Sequence, residues 1–216
     1  MMTGRSLIEM VHLGVEAAAV LAFAMSGLLE AARKRLDAVG VFVVAGLTAF
    51  GGGTLRDILL DRRPFFWVEH HVWLWVLLAL CAAAMLFLRA RHIAPTERAM
   101  LWPDAIGLGL FAGAGTQLGL AAGMPALVAV LLGVVTATFG GVLRDVVCNE
   151  IPGLFRDRRP YAVCAFAGGW IMVGAQALGA AGWLSMLLGA GTATALRMLS
   201  LWLDLSLPSW QDAGES

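Results

Sequence analysis

Apolar runs of about 20 residues follow one another along nearly the whole chain, and no other feature restricts the fold as strongly. Of the 216 residues, 60% are hydrophobic and only 14% are charged, whereas soluble domains carry about a quarter charged residues. The sequence therefore predicts an all-α integral membrane protein. Its seven predicted transmembrane helices cover residues 7–29, 38–58, 71–90, 101–121, 125–146, 161–180 and 182–203.

No loop between these runs exceeds about 15 residues, a length that leaves no space for a separate soluble domain. Any chemistry then takes place inside the membrane, so we expect transport, no enzyme activity and no cofactor. Basic residues concentrate in the loops of one side, which predicts that this side is cytoplasmic. The amino terminus is then outside and the carboxyl terminus inside. The basic loop residues of the predicted cytoplasmic side are Arg33, Lys34, Arg35, Arg91, Arg98, Arg156, Arg158 and Arg159, against Arg5, Arg62 and Arg63 on the other side.

The chain contains an internal repeat at a constant offset of 88 residues. "TAFGGGTLRD" at 48–57 aligns with "TATFGGVLRD" at 136–145, with seven identities in ten positions. Each unit holds three predicted spans, an odd number, so the second unit enters the bilayer from the opposite face, as in many transporters. We predict a first three-helix repeat at 1–92, a second, inverted repeat at 97–180, and a seventh helix with a short cytoplasmic tail at 181–216. The alternative is that the duplication builds only a symmetric scaffold.

Glycines followed by an Arg–Asp pair stand in the middle of the second and fifth spans. Three adjacent glycines cost a helix about 1 kcal/mol each relative to alanine, so they permit a kink or an unwound turn. Unpaired backbone and charge are tolerated at membrane depth only inside protein or beside water. The pattern predicts broken second and fifth helices that line a hydrated path. The predicted path residues are Thr48, Gly51, Gly52, Gly53, Thr54, Arg56, Asp57, Thr136, Thr138, Gly140, Gly141, Arg144 and Asp145. Alternatively, the glycines only allow close helix contact.

Acidic residues of the first and fourth spans are paired by the same repeat, Glu16 with Asp104. We predict that both lie in a vestibule of the path. Glu9, His12 and Glu16 share one helix face, which fits a proton relay, a cation vestibule or a position among lipid headgroups. The remaining histidines are scattered, so no metal site is predicted. In "GLGLFAGAGTQLG", residues 107–119, the glycines predict packing faces, and this stretch and the seventh helix are candidate subunit interfaces.

Seven spans, a duplicated three-helix unit and the paired segments "GGGTLRD" and "FGGVLRD" resemble prokaryotic members of the trimeric intracellular cation (TRIC) channel family, including bacterial proteins labelled glycine transporters. The resemblance runs from about residue 10 to 203. It implies a homotrimer in the bacterial inner membrane, with an hourglass pore for monovalent cations, chiefly potassium, in every subunit. It places the constriction at Gly51–Gly53 and Gly140–Gly141, with Arg56 and Arg144 after it, and membrane lipid in a groove beside the pore. No nucleic-acid partner is implied.

Two functions are therefore expected as alternatives. The first is a passive potassium channel, and the second is a secondary transporter of a small solute such as glycine. The arginines are the difficulty for a channel, because a bare guanidinium repels a cation at short range. Either Asp57 and Asp145 neutralise Arg56 and Arg144, or the arginines act as movable gates, or they hold the carboxylate of an amino-acid substrate.

Overall fold

The computed structural model describes residues 4–91 and 96–207, and every regular element in these two ranges is an α-helix. Seven helices are long and two, α3 and α7, are single turns. The predictions for residues 1–3, 92–95 and the tail from 208 onward lie outside the described residues. The helices are α1 Gly4–Arg33, α2 Ala38–Leu59, α3 Phe66–Glu69, α4 Val72–Arg91, α5 Glu97–Ala121, α6 Ala126–Val147, α7 Gly153–Arg156, α8 Ala162–Ala177 and α9 Gly182–Trp202.

The bounds of α2 and α6 are related by the 88-residue offset at both ends. Each helix ends in the same way, because the backbone turns into the left-handed region at Asp61 (φ 51°) and at Asn149 (φ 56°). Arg35 and Gly123, which follow α1 and α5, are a second pair at this offset with positive φ. A left-handed residue after the last turn satisfies free carbonyl groups and stops a helix. The duplicated sequence therefore produces duplicated helix ends.

Four of the described helices are long and apolar enough to cross a membrane: Leu7–Arg33 within α1, Ala38–Leu59, Ala126–Val147 and Gly182–Trp202. The apolar parts of α4 and α8 are shorter, at Val72–Phe87 and Ala162–Ala177. Helix α5 corresponds to the fourth predicted span, 101–121. It begins four residues before the predicted start and carries charge in its first turns. All seven predicted spans thus correspond to helices, and four of these helices have the length and the apolar composition of a membrane span.

Contacts between loops define two ends of the bundle. At the α7 end, the loop after α1 meets the loop after α6 through Lys34 and Glu150, and Leu207 donates its N–H to the carbonyl of Arg158. At the α3 end, the start of α1 meets the start of α9, where a Cβ on Gly182 would lie 2.8 Å from Ile8. The α3 end also holds the loop that contains α3, between α2 and α4.

The central helix is α5, which packs against α1, α6, α8 and α9. Its glycines allow this: a Cβ on Gly109 would lie 2.4 Å from the carbonyl oxygen of Ala190, and one on Gly113 would lie 2.9 Å from that of Met186. The predicted packing face is confirmed. The use of residues 107–119 as a subunit interface is a wrong prediction, because most of this stretch is already buried within one chain.

Candidate functional site

The first charged cluster, the Arg56 cluster, consists of Glu16 from α1 with Arg56 and Asp57 from α2. Arg56 donates to Asp57 Oδ1 from Nε at 2.9 Å and from Nη2 at 2.7 Å, and Nη1 donates to Glu16 Oε1. All three residues are buried, and Arg56 is only 1% exposed. A buried charge is tolerated only when it is paired, and here one guanidinium is shared by two carboxylates.

The second, the Arg144 cluster, consists of Asp104 from α5 with Arg144 and Asp145 from α6. Arg144 Nε donates to Asp145 Oδ1 at 2.8 Å, and Nη1 donates to Asp104 Oδ1 at 2.8 Å. Nη1 also donates to Ser26 Oγ at 2.6 Å. Arg144 is 5% exposed. The repeat aligns Glu16 with Asp104, and the structure places each of these acids beside the arginine of its own unit.

Each aspartate uses its second oxygen to hold the short helix that follows. Asp57 Oδ2 accepts the N–H of Phe66 at 3.0 Å, and Asp145 Oδ2 accepts the N–H of Gly153 at 2.8 Å. Phe66 and Gly153 are the first residues of α3 and α7, where free N–H groups favour an anion. These tethers were not predicted, and the one signal for them in the sequence is a proline that precedes each segment at the same offset, Pro64 and Pro152.

The formal charge of each cluster is −1, because two carboxylates face one guanidinium. An arginine neutralised in this way no longer repels a cation at close range, and the remaining negative charge attracts one. Of the three predicted roles for the arginines, this geometry favours neutralisation. Each arginine is paired with the aspartate that follows it, Asp57 or Asp145, as one of the three alternatives expected. Each is in addition paired with an acid from another helix, Glu16 or Asp104.

The glycines of α2 and α6 bring the two helix backbones into contact. A Cβ on Gly52 would lie 2.0 Å from the carbonyl oxygen of Thr136, and one on Gly140 would lie 2.3 Å from that of Thr48. Both helices continue through their glycines without interruption. The predicted unwound turn is therefore wrong: the missing side chains serve close approach, so the backbone keeps its own hydrogen bonds and needs no ion to satisfy them.

The predicted threonines fall into two groups. Thr48 and Thr136 are fully buried, and their hydroxyls donate to the carbonyls of Val44 and Leu132 four residues earlier. Thr138 and Thr54 also donate to backbone carbonyls, yet each lines a cavity. Only the second group faces accessible space in the described structure.

An aromatic pair closes the centre between the clusters. Phe23 and Phe111, which the repeat aligns, have ring centroids 5.4 Å apart, and both are buried. Phe111 lines the small cavity beside Arg56, and the Phe23 ring fills the space beside Gly107 of α5. The two rings therefore separate the regions on either side of the α2–α6 contact.

The two clusters differ in their access to water-sized space. At the α7 end, a cavity of about 260 Å³ reaches Asp104, Thr138, Gly141, Arg144 and Asp145. Tyr161 and Arg197, which the sequence analysis did not select, also line this cavity. At the α3 end, the cavity beside Glu16, Gly53, Thr54 and Arg56 measures about 10 Å³. Of the two residues predicted to lie in a vestibule, Asp104 borders the larger cavity and Glu16 the small, almost closed one.

A third feature is an apolar groove of about 470 Å³ on the side of the bundle. It is lined by α2, α3, α4 and α6, including Gly51 of the predicted path. His12 is separate from the groove: its Nε2 lies 3.7 Å from Glu16 Oε2, so the predicted acid–imidazole face extends the Arg56 cluster. Among the described residues, no group of three His, Cys, Asp or Glu side chains is arranged to hold a metal ion.

Comparison with known proteins gives consistent matches. The family model described as glycine transporter matches residues 13–91 and 101–177, two segments that begin 88 residues apart. The chain is 38% identical to a UPF0126 membrane protein of Vibrio cholerae over 192 residues, which cover 87% of this chain and 78% of that protein. It is also 38% identical to the UPF0126 inner membrane protein YadS of Escherichia coli over 147 residues, 68% of this chain and 70% of the relative.

Solved structures of the same fold are cation channels. The TRIC trimeric intracellular cation channel orthologue from Rhodobacter sphaeroides superposes with a TM-score of 0.82 at 35% identity, covering 90% of this chain and 99% of that one. A prokaryotic TRIC channel solved in 0.5 M KCl superposes with a TM-score of 0.84 at 26% identity, covering 92% of this chain and all of the other. These neighbours are channels and not enzymes.

Proposed function

Because this chain belongs to the glycine transporter family and shares its fold with prokaryotic TRIC channels, we propose that it is a homotrimeric channel for monovalent cations, chiefly potassium, with a pathway inside each subunit. The observation that carries the proposal is the chain-long similarity to the Rhodobacter sphaeroides channel orthologue. The charge balance supports it, since each arginine faces two carboxylates and each cluster has an excess of negative charge.

The pathway runs from the α7-end cavity past the Arg144 cluster, between Phe23 and Phe111, and out past the Arg56 cluster. The described conformation is non-conducting, because the aromatic pair and the 10 Å³ cavity leave no continuous space for a hydrated ion. In the conducting conformation, the predicted path residues of α2 and α6 line the route. They are Thr48, Gly51, Gly52, Gly53, Thr54, Arg56, Asp57, Thr136, Thr138, Gly140, Gly141, Arg144 and Asp145.

The topology we propose is an inverted repeat of 1–92 and 97–180, followed by the seventh helix and tail at 181–216. The matching bounds of α2 and α6 and the two family-matched segments support it. The orientation we propose has the α7 end in the cytoplasm and the α3 end outside, in a bacterial inner membrane, and the concentration of basic residues at the α7 end supports it. The apolar groove fits the acyl chain of a membrane lipid, as the family resemblance implies.

A secondary transporter of glycine or a similar small solute is the second candidate. One observation favours it: the space beside one cluster is open, the space beside the other is closed, and the two are related by a repeat, as alternating access requires. A zwitterion would pair its carboxylate with Arg144 and its amine with Asp104.

Purified protein in liposomes separates the two candidates when potassium flux and glycine uptake are measured side by side. A channel gives passive potassium flux that does not saturate at modest concentrations and is not competed by glycine. Saturable glycine uptake without potassium flux would instead support the transporter. Absence of both from correctly assembled protein would overturn both proposals.

A matched pair of variants tests the pathway itself. Asp104→Asn reduces the Arg144 cluster from −1 to zero, so we expect potassium flux to fall about tenfold, the equivalent of about 1.4 kcal/mol. Arg98→Gln changes a charge by one unit on an exposed residue at the start of α5 and should leave the flux unchanged. Equal fluxes for the Asp104→Asn variant and the unmodified protein would place the pathway elsewhere.

A further inference from the structure

We propose that Phe65–Glu69, here called the α3 lid, is a gate that closes the α3 end of the pathway independently of the aromatic pair at the centre. The proposal rests on the proposed conduction pathway. It assigns to Phe50, Thr54 and Trp67 the control of access to the Arg56 cluster.

The α3 lid closes the cavity beside Arg56 with few contacts. Trp67 Nε1 donates to Thr54 Oγ1 at 3.1 Å, and the indole packs on Phe50 with ring centroids 6.5 Å apart. Phe66 and Trp67 both line the 10 Å³ cavity together with Phe50 and Thr54. The lid itself is exposed on its other side, at Val68 and Glu69. The contacts of the indole with Thr54 and Phe50 are the part of this closure that single substitutions remove, while Phe66 packs against the core and its N–H stays bonded to Asp57.

The α7 segment occupies the equivalent position in the second unit and leaves its cavity open. The tethers are similar but differ by one residue in register: Asp57 accepts the N–H of Phe66, nine residues later, and Asp145 accepts the N–H of Gly153, eight residues later. The segments also differ in the residues that reach the cavity: Phe155, which the offset of 88 aligns with Trp67, is 74% exposed and does not line the cavity, whereas Gly153, Leu154 and Arg156 do. Two related segments, each tethered to the aspartate after the arginine, thus border a closed cavity at one end and an open one at the other.

The residues that receive the lid also differ between the units. At the offset of 88, Phe50 corresponds to Thr138 and Thr54 corresponds to Val142. The α3 end therefore has an aromatic ring and a hydroxyl that accepts the indole N–H. The α7 end has a hydroxyl that lines the open cavity and a valine, which offers no acceptor to a lid. The sequence difference at these positions accounts for the difference in closure.

The repeat supplies the test, because each end can be given the residue of the other. Phe50→Thr copies the open end, and Trp67→Ala removes the lid contact. With Trp67→Ala we expect potassium flux in liposomes to rise about tenfold, because opening no longer breaks the hydrogen bond from the indole to Thr54. With Phe50→Thr the flux should also rise, because opening no longer breaks the ring contact with the indole. Thr138→Phe places a ring at the open end and should lower the flux. Phe155→Ala, at an exposed ring, is the control and should leave it unchanged.

Thiol accessibility tests the lid without requiring conduction. In a background with Cys81, Cys148 and Cys164 replaced by alanine, Gly53→Cys reports on the α3-end cavity and Gly141→Cys on the α7-end cavity. In nanodiscs, both faces are exposed to a charged thiosulfonate. We expect Gly141→Cys to react quickly and Gly53→Cys slowly. Adding Trp67→Ala or Phe50→Thr should then accelerate the reaction of Gly53→Cys about tenfold and leave that of Gly141→Cys unchanged.

The outcomes separate this proposal from the channel proposal. Accelerated labelling at Gly53→Cys without potassium flux in any variant supports the lid and refutes the channel. Potassium flux with equal labelling rates at both cysteines, unaffected by Phe50→Thr and Trp67→Ala, supports the channel and refutes the lid. Two variants on different helices are used so that misfolding of one does not decide the result.

Discussion

The Arg56 and Arg144 clusters have the same formal charge and similar ion pairs but differ in their surroundings. In each, an arginine holds the aspartate that follows it and an acid from another helix. The space beside Arg144 measures about 260 Å³ and that beside Arg56 about 10 Å³. Since the formal charges are the same, they do not account for the different access of water. The lid proposal attributes that difference to neighbouring aromatic and hydroxyl side chains, and four further predictions compare the two ends of the molecule.

The largest expected effect is a difference in stability between Arg56→Met and Arg144→Met. Arg56→Met leaves the buried carboxylates of Glu16 and Asp57 without their shared guanidinium, and removal of one partner from a buried ion pair typically costs about 3–5 kcal/mol in free energy of unfolding. Arg144→Met should cost less, because Asp104 and Asp145 border a cavity that water can enter. Thermal unfolding in detergent measures both, with Arg98→Met as the control. Equal losses of stability would mean that the two clusters are equally dry.

The second prediction concerns the glycines that both units share. Gly52→Ala and Gly140→Ala each push a Cβ into a carbonyl oxygen of the facing helix, at 2.0 and 2.3 Å. Overpacking of this kind costs about 1–3 kcal/mol. Gly53→Ala is the matched control, since its Cβ would meet nothing closer than 3.8 Å and alanine favours a helix. We expect the first two to lower the melting temperature by similar amounts and the third to leave it unchanged or raise it.

The third prediction uses a residue present in only one cluster. Ser26 accepts a hydrogen bond from Arg144 at 2.6 Å, whereas its repeat counterpart is Ala114. Ser26→Ala should lower stability by about 1 kcal/mol and should act only through the Arg144 cluster. A double-mutant cycle with Arg144→Met measures this coupling, and the same cycle with Arg56→Met should give none. Coupling of equal size to both arginines would contradict the assignment.

The smallest effect is a pH dependence at the α7 end. Lys34, which donates a hydrogen bond to Glu150, holds the pKa of that carboxyl below its usual 4.5, with a smaller contribution from Arg156. A lowered pKa in the folded state stabilises the protein above pH 4.5, and the contribution is lost as the pH falls through the lowered value. The pair is exposed, so the effect is small. Melting curves of Glu150→Gln should lack this acid-dependent part. An unchanged pH profile would show that the pair does not contribute.

The sequence was sufficient to predict the helices and the charged residues that meet. Apolar length gave the seven long helices, and the offset of 88 paired Glu16 with Asp104 before either was placed beside an arginine. Charges inside an apolar run need partners, and the repeat limits which partners are available. Arg56, Asp57, Arg144 and Asp145 were selected on this ground as residues of the path, and pairing within each Arg–Asp couple was one of three roles that the sequence left open.

The sequence was not sufficient to predict what the glycines do. Gly52 and Gly140 fit an unwound turn and a close helix contact equally well, because both require the absence of a side chain. The choice depends on a facing backbone far away in sequence. The same holds for Ser26, about 15 Å along α1 from Glu16, which reaches the other unit's arginine. The different closure of the two ends depends on Phe50 and Trp67, whose roles appear only once α3 is placed on α2.

One helix of the first unit has little protein around it, and this has a mechanical consequence. α4 has two buried residues in its described part, Leu77 and Cys81, while its counterpart α8 packs closely against α9. A helix that stays lipid-exposed in the assembled protein can adjust its tilt to the thickness of the surrounding bilayer. Because α4 begins only three residues after the α3 lid ends, such a change of tilt would be passed to that lid over a short connection.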